Sequence, residues 1–308
     1  MLVYENADVQ LKSNTVVALG CFDGVHIGHK AVIDRAKQVA LSSGLPLTVL
    51  TFSEPPRNFF YPFSTPLICS KAEKLKLLVE LGADIIICLP LSEKILSISP
   101  KDFINDILAS RLKAQHIVCG YNYTFGKNAS GNTSLLQNEC GGLDIEVSIV
   151  PKMTYNREPV SSSLIRQYIS EGNTTAVSEL LGRPFSITST VVQGQHLARR
   201  LGFPTVNILP PQDTVLPKNG VYATRVRFDN KIKFGITNIG IRPTVNTKIT
   251  CAETHIFDFD GNLYEKELTV DFLHFLRQER KFESVEEMAL QVKKDIKLAQ
   301  EYIEKTKH

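Results

Sequence analysis

The sequence predicts an α/β domain built on a parallel sheet, followed by a small antiparallel β-barrel with a terminal helix. Three observations lead there. The chain has 308 residues, and at roughly 150 residues per domain that length suits two domains. Up to Leu181, short apolar runs alternate with helical patterns, as parallel strands with helices on both faces require. Beyond Leu181-Gly182-Arg183-Pro184-Phe185, short strands dominate and one long helix closes the chain. Gly182 and Pro184 stop the preceding helix. The expected domains are therefore residues 1–182 and 183–308.

Each element follows from its pattern. Thr15–Leu19 and Leu47–Phe52 are apolar strands. Between them, Val32, Ala36, Val39 and Ala40 recur on one face of a helix over 30–41. Leu75, Leu78 and Val79 do the same over 71–81. Residues 84–89 hold an Ile-Ile-Ile-Cys run buried on both sides, 102–112 is a helix, and 116–120 is a further strand. In the second domain, strands are expected over 187–192, 221–228, 232–239, 253–259 and 263–272. Asp229-Asn230 and Asp260-Gly261 are hairpin signals. The closing helix spans 285–304, with Met288, Val292, Ile296 and Ala299 on one face.

Composition bounds the function. Hydrophobic residues make up 43% and charged residues 22%, enough for sizeable cores. A net charge of +3 is too small to argue for nucleic acid. No apolar run has signal-peptide or membrane-spanning length, so a cytoplasmic protein with no membrane partner is expected. The six cysteines form no Cys-x-x-Cys pair, and buried free thiols are the expected state. The expected assembly is a monomer or a weak homo-oligomer.

The most informative stretch is Gly20-Cys21-Phe22-Asp23-Gly24-Val25-His26-Ile27-Gly28-His29. It sits where a strand hands over to a helix N-terminus. Unpaired backbone N–H groups and the positive end of the helix dipole favour phosphate there. His26 and His29 can donate hydrogen bonds to phosphate oxygens as charge moves onto a leaving group. A zinc site is the weaker reading, because no Cys pair lies nearby.

This stretch resembles the signature of the bacterial riboflavin kinase/FAD synthetase family, within the nucleotidyltransferases that carry His-x-Gly-His. Two further segments fit the resemblance: Gly120-Tyr121-Asn122-Tyr123-Thr124-Phe125-Gly126 and Val160-Ser161-Ser162-Ser163-Leu164-Ile165-Arg166. The resemblance implies a Rossmann-like nucleotidyltransferase domain that joins FMN to ATP and releases pyrophosphate, with Mg²⁺ on the phosphates. His26, His29 and Arg166 would be catalytic. Gly20, Phe22, Asp23, Gly24, Asn122, Ser161, Ser162 and Ser163 would bind nucleotide and flavin.

Residues 194–207, Gly-Gln-His-Leu-Ala-Arg-Arg-Leu-Gly-Phe-Pro-Thr-Val-Asn, resemble the riboflavin kinase element of the same family. A basic glycine-bearing loop can wrap phosphates with backbone N–H groups, and this one is not a Walker A loop. The resemblance implies ATP and flavin binding by Gly194, Arg199, Gly202, Pro204 and Arg277. Thr205 and Asn207, hard oxygen donors, would hold Mg²⁺. Glu253 would be the general base that takes a proton from the riboflavin hydroxyl. Riboflavin would thus become FMN, and FMN would become FAD.

Several residues depart from the family pattern. Ser53-Glu54-Pro55-Pro56 stands in place of Asp-Pro-His-Pro, Pro159 in place of a basic residue found in some relatives, and Ser163 in place of Thr. In the kinase half, Gln193 replaces His, Ala198 replaces Gly, Val206 replaces Ala and Glu265 replaces Gly. Two alternatives follow from these departures: a paralogue with one active site, FMN adenylyl transfer being the one retained, or a flavin-binding regulator without turnover.

Overall fold

The protein is described from a computed structural model, covering residues 2–6, 8–193, 203–243 and 248–306. The chain divides into two compact units, Met1–Leu164 and Ile165–His308.

The first unit holds a six-stranded sheet in which every pairing is parallel. Its strands are β1 (Leu2–Tyr4), β2 (Thr15–Leu19), β3 (Leu47–Phe52), β4 (Ile85–Leu89), β5 (Ala114–Gly120) and β6 (Glu146–Val150). Their spatial order is β1-β4-β3-β2-β5-β6. The chain runs outward from β2 through β3 and β4, then returns to β2's other side with β5. Strand order therefore reverses between β2 and β5, and a ligand crevice is expected at their carboxyl ends. One apolar cluster gathers Val16, Ala18 and Val49 with Ile33 and Ala36, and a second gathers Val17, Leu19 and Ile117 with Ile104 and Leu108. This is how near-continuous apolar strands bury both faces.

Three helices of this unit flank the sheet: α1 (Ile27–Ser43), α2 (Lys71–Glu80) and, later in the chain, α3 (Thr133–Gly141). The first begins earlier than the apolar periodicity predicts, because the His26 side chain caps it. Residues 103–111 form a π-helix rather than an α-helix, as the Leu112 N–H to Ile107 O bond of 2.9 Å shows. The wider winding leaves Phe103, Ile104, Ile107 and Leu108 buried together.

The second unit contains most of α4 (Ser162–Glu171), then α5 (Thr174–Leu181), which ends at Gly182 in the left-handed conformation with φ of 69°. A closed six-stranded barrel follows: β7 (Phe185–Val192), β8 (Val206–Ile208), β9 (Gly220–Phe228), β10 (Lys231–Pro243), β11 (Lys248–Ile256) and β12 (Glu267–Gln278). All of its pairings are antiparallel. Thr224, Thr237 and Thr254 are fully buried and joined by Oγ1–Oγ1 hydrogen bonds of 2.9 Å. The opposite face of the same strands presents Val221, Ala223 and Ile236 to α6 (Val285–Thr306), which packs Ala299 and Ile303 on them.

Asp229 and Asn230 take positive φ values of 45° and 60°, as a tight hairpin between β9 and β10 requires. Asp260-Gly261 is no such turn. Strand β11 stops at Ile256 and β12 starts at Glu267, so a longer loop joins them. Leu263 is buried in that loop, and the Phe259 ring meets Phe228 edge-on at 5.2 Å; both hold the loop away from a strand path.

Glu265, which replaces the family's glycine, has φ of +65°. A side chain in that region is strained by about 1–2 kcal/mol, partly offset by glycine's greater entropy in the unfolded chain. Glu265→Gly is therefore expected to stabilise the second unit by up to about 1 kcal/mol. A denaturant titration checks this; a lower midpoint in the variant would contradict it.

Candidate functional site

At the carboxyl ends of β2 and β5 lies a cavity of about 350 Å³. The turn after β2 shapes its floor. Phe22, Gly24 and Val25 all have positive φ, at 53°, 77° and 43°. A β-branched residue in that region is an outlier, and such strain persists only where its surroundings enforce it. Asp23 is one enforcing contact: its buried carboxylate accepts the Ile68 N–H at 3.1 Å. A Cβ on Gly20 would fall 2.8 Å from the Phe22 ring, so the turn needs glycine there.

The two histidines then fall side by side. Their rings stack with centroids 3.5 Å apart and planes 15° apart. His26 Nδ1 accepts the His29 backbone N–H at 3.2 Å. A neutral His26 must therefore carry its proton on Nε2. His29 Nδ1 is buried without a hydrogen-bond partner. Burial, then His26, then Lys74 hold the His29 imidazole well below its usual pKa. Neutral His29 with its proton on Nε2 leaves only a bare acceptor buried, and its ring then has an N–H to give a ligand.

Ser161 and Ser162 line the same cavity, as do Asn122, Gly20 and Phe22. Ser161 Oγ caps α4 by accepting the Leu164 N–H at 3.2 Å, and Ser162 Oγ donates to the Asp23 carbonyl at 3.1 Å. Ser163 is exposed and does not line the cavity; neither do Asp23 and Gly24, which shape the turn beneath it. Arg166 lies one turn further along α4, in the second unit. Pro56, not Glu54, faces the cavity. Phe52, Pro56, Tyr123 and Thr124 are shared with a neighbouring, more apolar cavity of about 410 Å³ that Phe60, Ile95 and Phe103 also line.

In the barrel, cross-strand register sets Asn207 opposite Glu253, Glu253 opposite Asn238, Asn238 opposite Val221, and Val221 opposite Arg277. Directly opposed residues share a face, so this row crosses five strands on the face that carries α6. Thr205 lies between two cavities. One, of about 270 Å³, holds Glu253, Asn238, Arg277 and His255. The other, of about 520 Å³, is bordered by Pro204, Val206 and the loop Phe259–Tyr264. Asn207 is buried, with the Cys251 thiol donating to its Oδ1 at 3.6 Å. The Arg277 fork is engaged by Asp295 of α6 at 2.7–3.0 Å, and Gln291 also bonds that carboxylate. Gly194, Arg199 and Gly202, with Ala198, lie outside the described residues.

Sequence reasoning gave no role to His255 or Asn238, both of which line the cavity with Glu253. His255 Nδ1 donates to the Pro204 carbonyl at 2.9 Å, and its ring meets Phe203 edge-on at 5.8 Å, which pins the segment just before Thr205. Its signal was only a histidine two residues after Glu253, on the same face of one strand.

No group of three or more His, Cys, Asp or Glu side chains suited to a metal occurs among the described residues. Cys69, Cys88, Cys119, Cys140 and Cys251 are buried free thiols; Cys21, partly exposed, borders the histidine cavity. Among the described residues, no helix is long and apolar enough to cross a membrane.

A family profile described as FAD synthetase matches residues 8–164, and one described as riboflavin kinase matches residues 181–303. A bifunctional riboflavin kinase/FMN adenylyltransferase of Listeria monocytogenes is 37% identical over 92% of this chain and 90% of its own length. The protein of that name from Escherichia coli K12 is 32% identical over 95% and 94%. A crystal structure described as a macrolide-efflux protein from Streptococcus pneumoniae superposes with a TM-score of 0.88 at 30% identity, covering 97% of this chain and 98% of the other. The chain belongs to the bifunctional riboflavin kinase/FMN adenylyltransferase family.

Proposed function

We propose that residues 183–308 phosphorylate riboflavin to FMN, and that residues 1–182 adenylylate FMN to FAD, with ATP as donor in both reactions. One observation carries the reading: each half has its own polar cavity, one walled by the stacked histidines, the other flanking Thr205 beside Glu253.

In the adenylyl reaction, the FMN phosphate attacks the α-phosphorus of ATP and pyrophosphate leaves. No covalent intermediate with the protein is needed. Catalysis rests on alignment and on neutralising charge. His26 and His29 give their Nε2–H groups to phosphate oxygens at the positive end of α1. Arg166 is assigned to the departing pyrophosphate. Asn122, Ser161 and Ser162 contact substrate, with Gly20 and Phe22 at the cavity wall and Asp23 and Gly24 holding the turn. The apolar neighbouring cavity suits the flavin ring, because burying a large aromatic surface is favourable there.

In the kinase reaction, Glu253 takes the proton of the riboflavin hydroxyl as that oxygen attacks the γ-phosphorus of ATP, and ADP leaves. Arg277 borders the flavin side. ATP is assigned to the opposite side of Thr205, where Pro204 lies, and Gly194, Arg199 and Gly202 are assigned to bind it. Thr205 and Asn207, a hydroxyl and a buried amide, are hard oxygen donors that fit Mg²⁺ better than a softer metal. When bound, Mg²⁺ would neutralise phosphate charge. The protein is placed in the cytoplasm as a monomer or weak homo-oligomer, with small molecules as its partners.

Incubation with riboflavin, ATP and Mg²⁺, followed by chromatographic separation of the flavins, tests the reading. FMN and then FAD are expected. Accumulation of FMN alone, or no product, would contradict it.

A further inference from the structure

Lys74 belongs to neither reaction as described above, yet it is the least expected charge in the first unit. It sits on α2, only 4% exposed. Its Nζ donates to the Phe52 carbonyl at 2.5 Å and to the Ser53 carbonyl at 3.4 Å. No carboxylate among the described residues pairs with it; Lys71, one turn earlier, takes Glu5 at 2.7 Å. A buried cation without an anionic partner is costly. Two carbonyl dipoles solvate it but leave its charge uncompensated.

Where that charge acts is given by its anchor. Phe52 ends β3 and lines the histidine cavity. The preceding residue, Thr51, donates its hydroxyl to the Cys21 carbonyl at 2.8 Å, which joins the end of β3 to the turn that carries the histidines. Lys74 is thus tied to the end of β3, one wall of the cavity, which Thr51 in turn joins to the histidine turn, and it does not itself line the cavity. Its field reaches His29, where it adds to burial and to His26 in disfavouring the protonated ring. The other groups facing this region are Cys88 on β4, whose thiol burial pushes up, and Lys71 with Glu5.

We infer that Lys74 is a positioning residue whose missing counter-ion is the substrate phosphate chain: its buried ammonium draws the polyphosphate into the cavity and fixes the end of β3 against it. The inference rests on the reading of that cavity as a nucleotide site. It explains why a lysine is tolerated there: the cost falls on the empty protein and is offset when an anion arrives.

Lys74→Gln and Lys74→Arg in the full chain test it. Glutamine keeps a donor for the Phe52 carbonyl and removes the charge; arginine keeps the charge. Unchanged riboflavin phosphorylation serves as the check on folding. In Lys74→Gln, kcat/KM for ATP in FAD formation should fall roughly tenfold or more, while Lys74→Arg retains most of it. In the same variant the His29 imidazole, followed by NMR in histidine-labelled protein and assigned with His29→Gln, should titrate at higher pH than in the wild type. Normal ATP kinetics in Lys74→Gln, an unmoved His29 titration, or equal impairment of both variants would overturn the inference. Wild-type protein that forms no FAD would instead sink the functional reading; the His29 titration and direct binding of ATP would still judge Lys74.

Discussion

His29→Ala should form FAD from FMN about 10²–10³ times more slowly than the wild type, the usual cost of losing one donor to transition-state charge. The geometry gives the reason. Burial, His26 and Lys74 disfavour the charged His29 ring, its Nδ1 is buried without a partner, and the ring lines the cavity, so a proton on Nε2 is the donor it can give a ligand. Alanine removes that donor and the ring against which His26 stacks at 3.5 Å. The cap on α1 survives, because His26 Nδ1 accepts the backbone N–H of residue 29 and not its side chain. Helix α1 should therefore stay formed, and FMN synthesis from riboflavin should be nearly unaffected. Both products are measured in the single variant by chromatography. Wild-type FAD synthesis would remove His29 from the mechanism.

Glu253→Gln should produce the complementary defect. The change keeps size and hydrogen-bonding capacity but removes the charge that accepts a proton. General-base contributions are typically about 10²–10⁴-fold, so FMN formation should fall by that order. Glu253 sits between Asn207 and Asn238 in the cross-strand row, and an amide fits among amides without disrupting the barrel. FAD formation from supplied FMN should survive. Riboflavin alone should give little FAD, and added FMN should restore it. Normal kinase turnover in this variant would show that Glu253 is not the base.

The first domain was legible because its inner strands are largely buried. Thr15–Leu19 and Ile85–Leu89 have no solvent face, so each reads as an unbroken apolar run. The strand Glu146–Val150 was missed because it is the sheet's half-exposed edge, with no such run. The start of α1 was placed too late because a histidine supplies its cap, and histidine is not among the usual capping residues. In the barrel, the turn at Asp229-Asn230 was correct, but Asp260-Gly261 misled. Turn residues mark a break in a strand, and only the burial of Leu263 and the packing of Phe259 make that break a long loop. The pairing of His26 and His29 beside a cavity was legible as a local pattern. Lys74 was not, since its role depends on carbonyls of a strand that is distant in sequence.

The central claim is that each half of the chain completes one reaction by itself. Mixing the two single variants, His29→Ala and Glu253→Gln, with riboflavin, ATP and Mg²⁺ tests it most directly. Neither variant alone should convert riboflavin to FAD efficiently. Together they should, because FMN made by the intact kinase of one is adenylylated by the intact histidine site of the other. FAD accumulating in the mixture, well above the sum of the two separate reactions, is the predicted result. A mixture that makes no more FAD than its components, although His29→Ala releases FMN and Glu253→Gln adenylylates added FMN, would contradict the account.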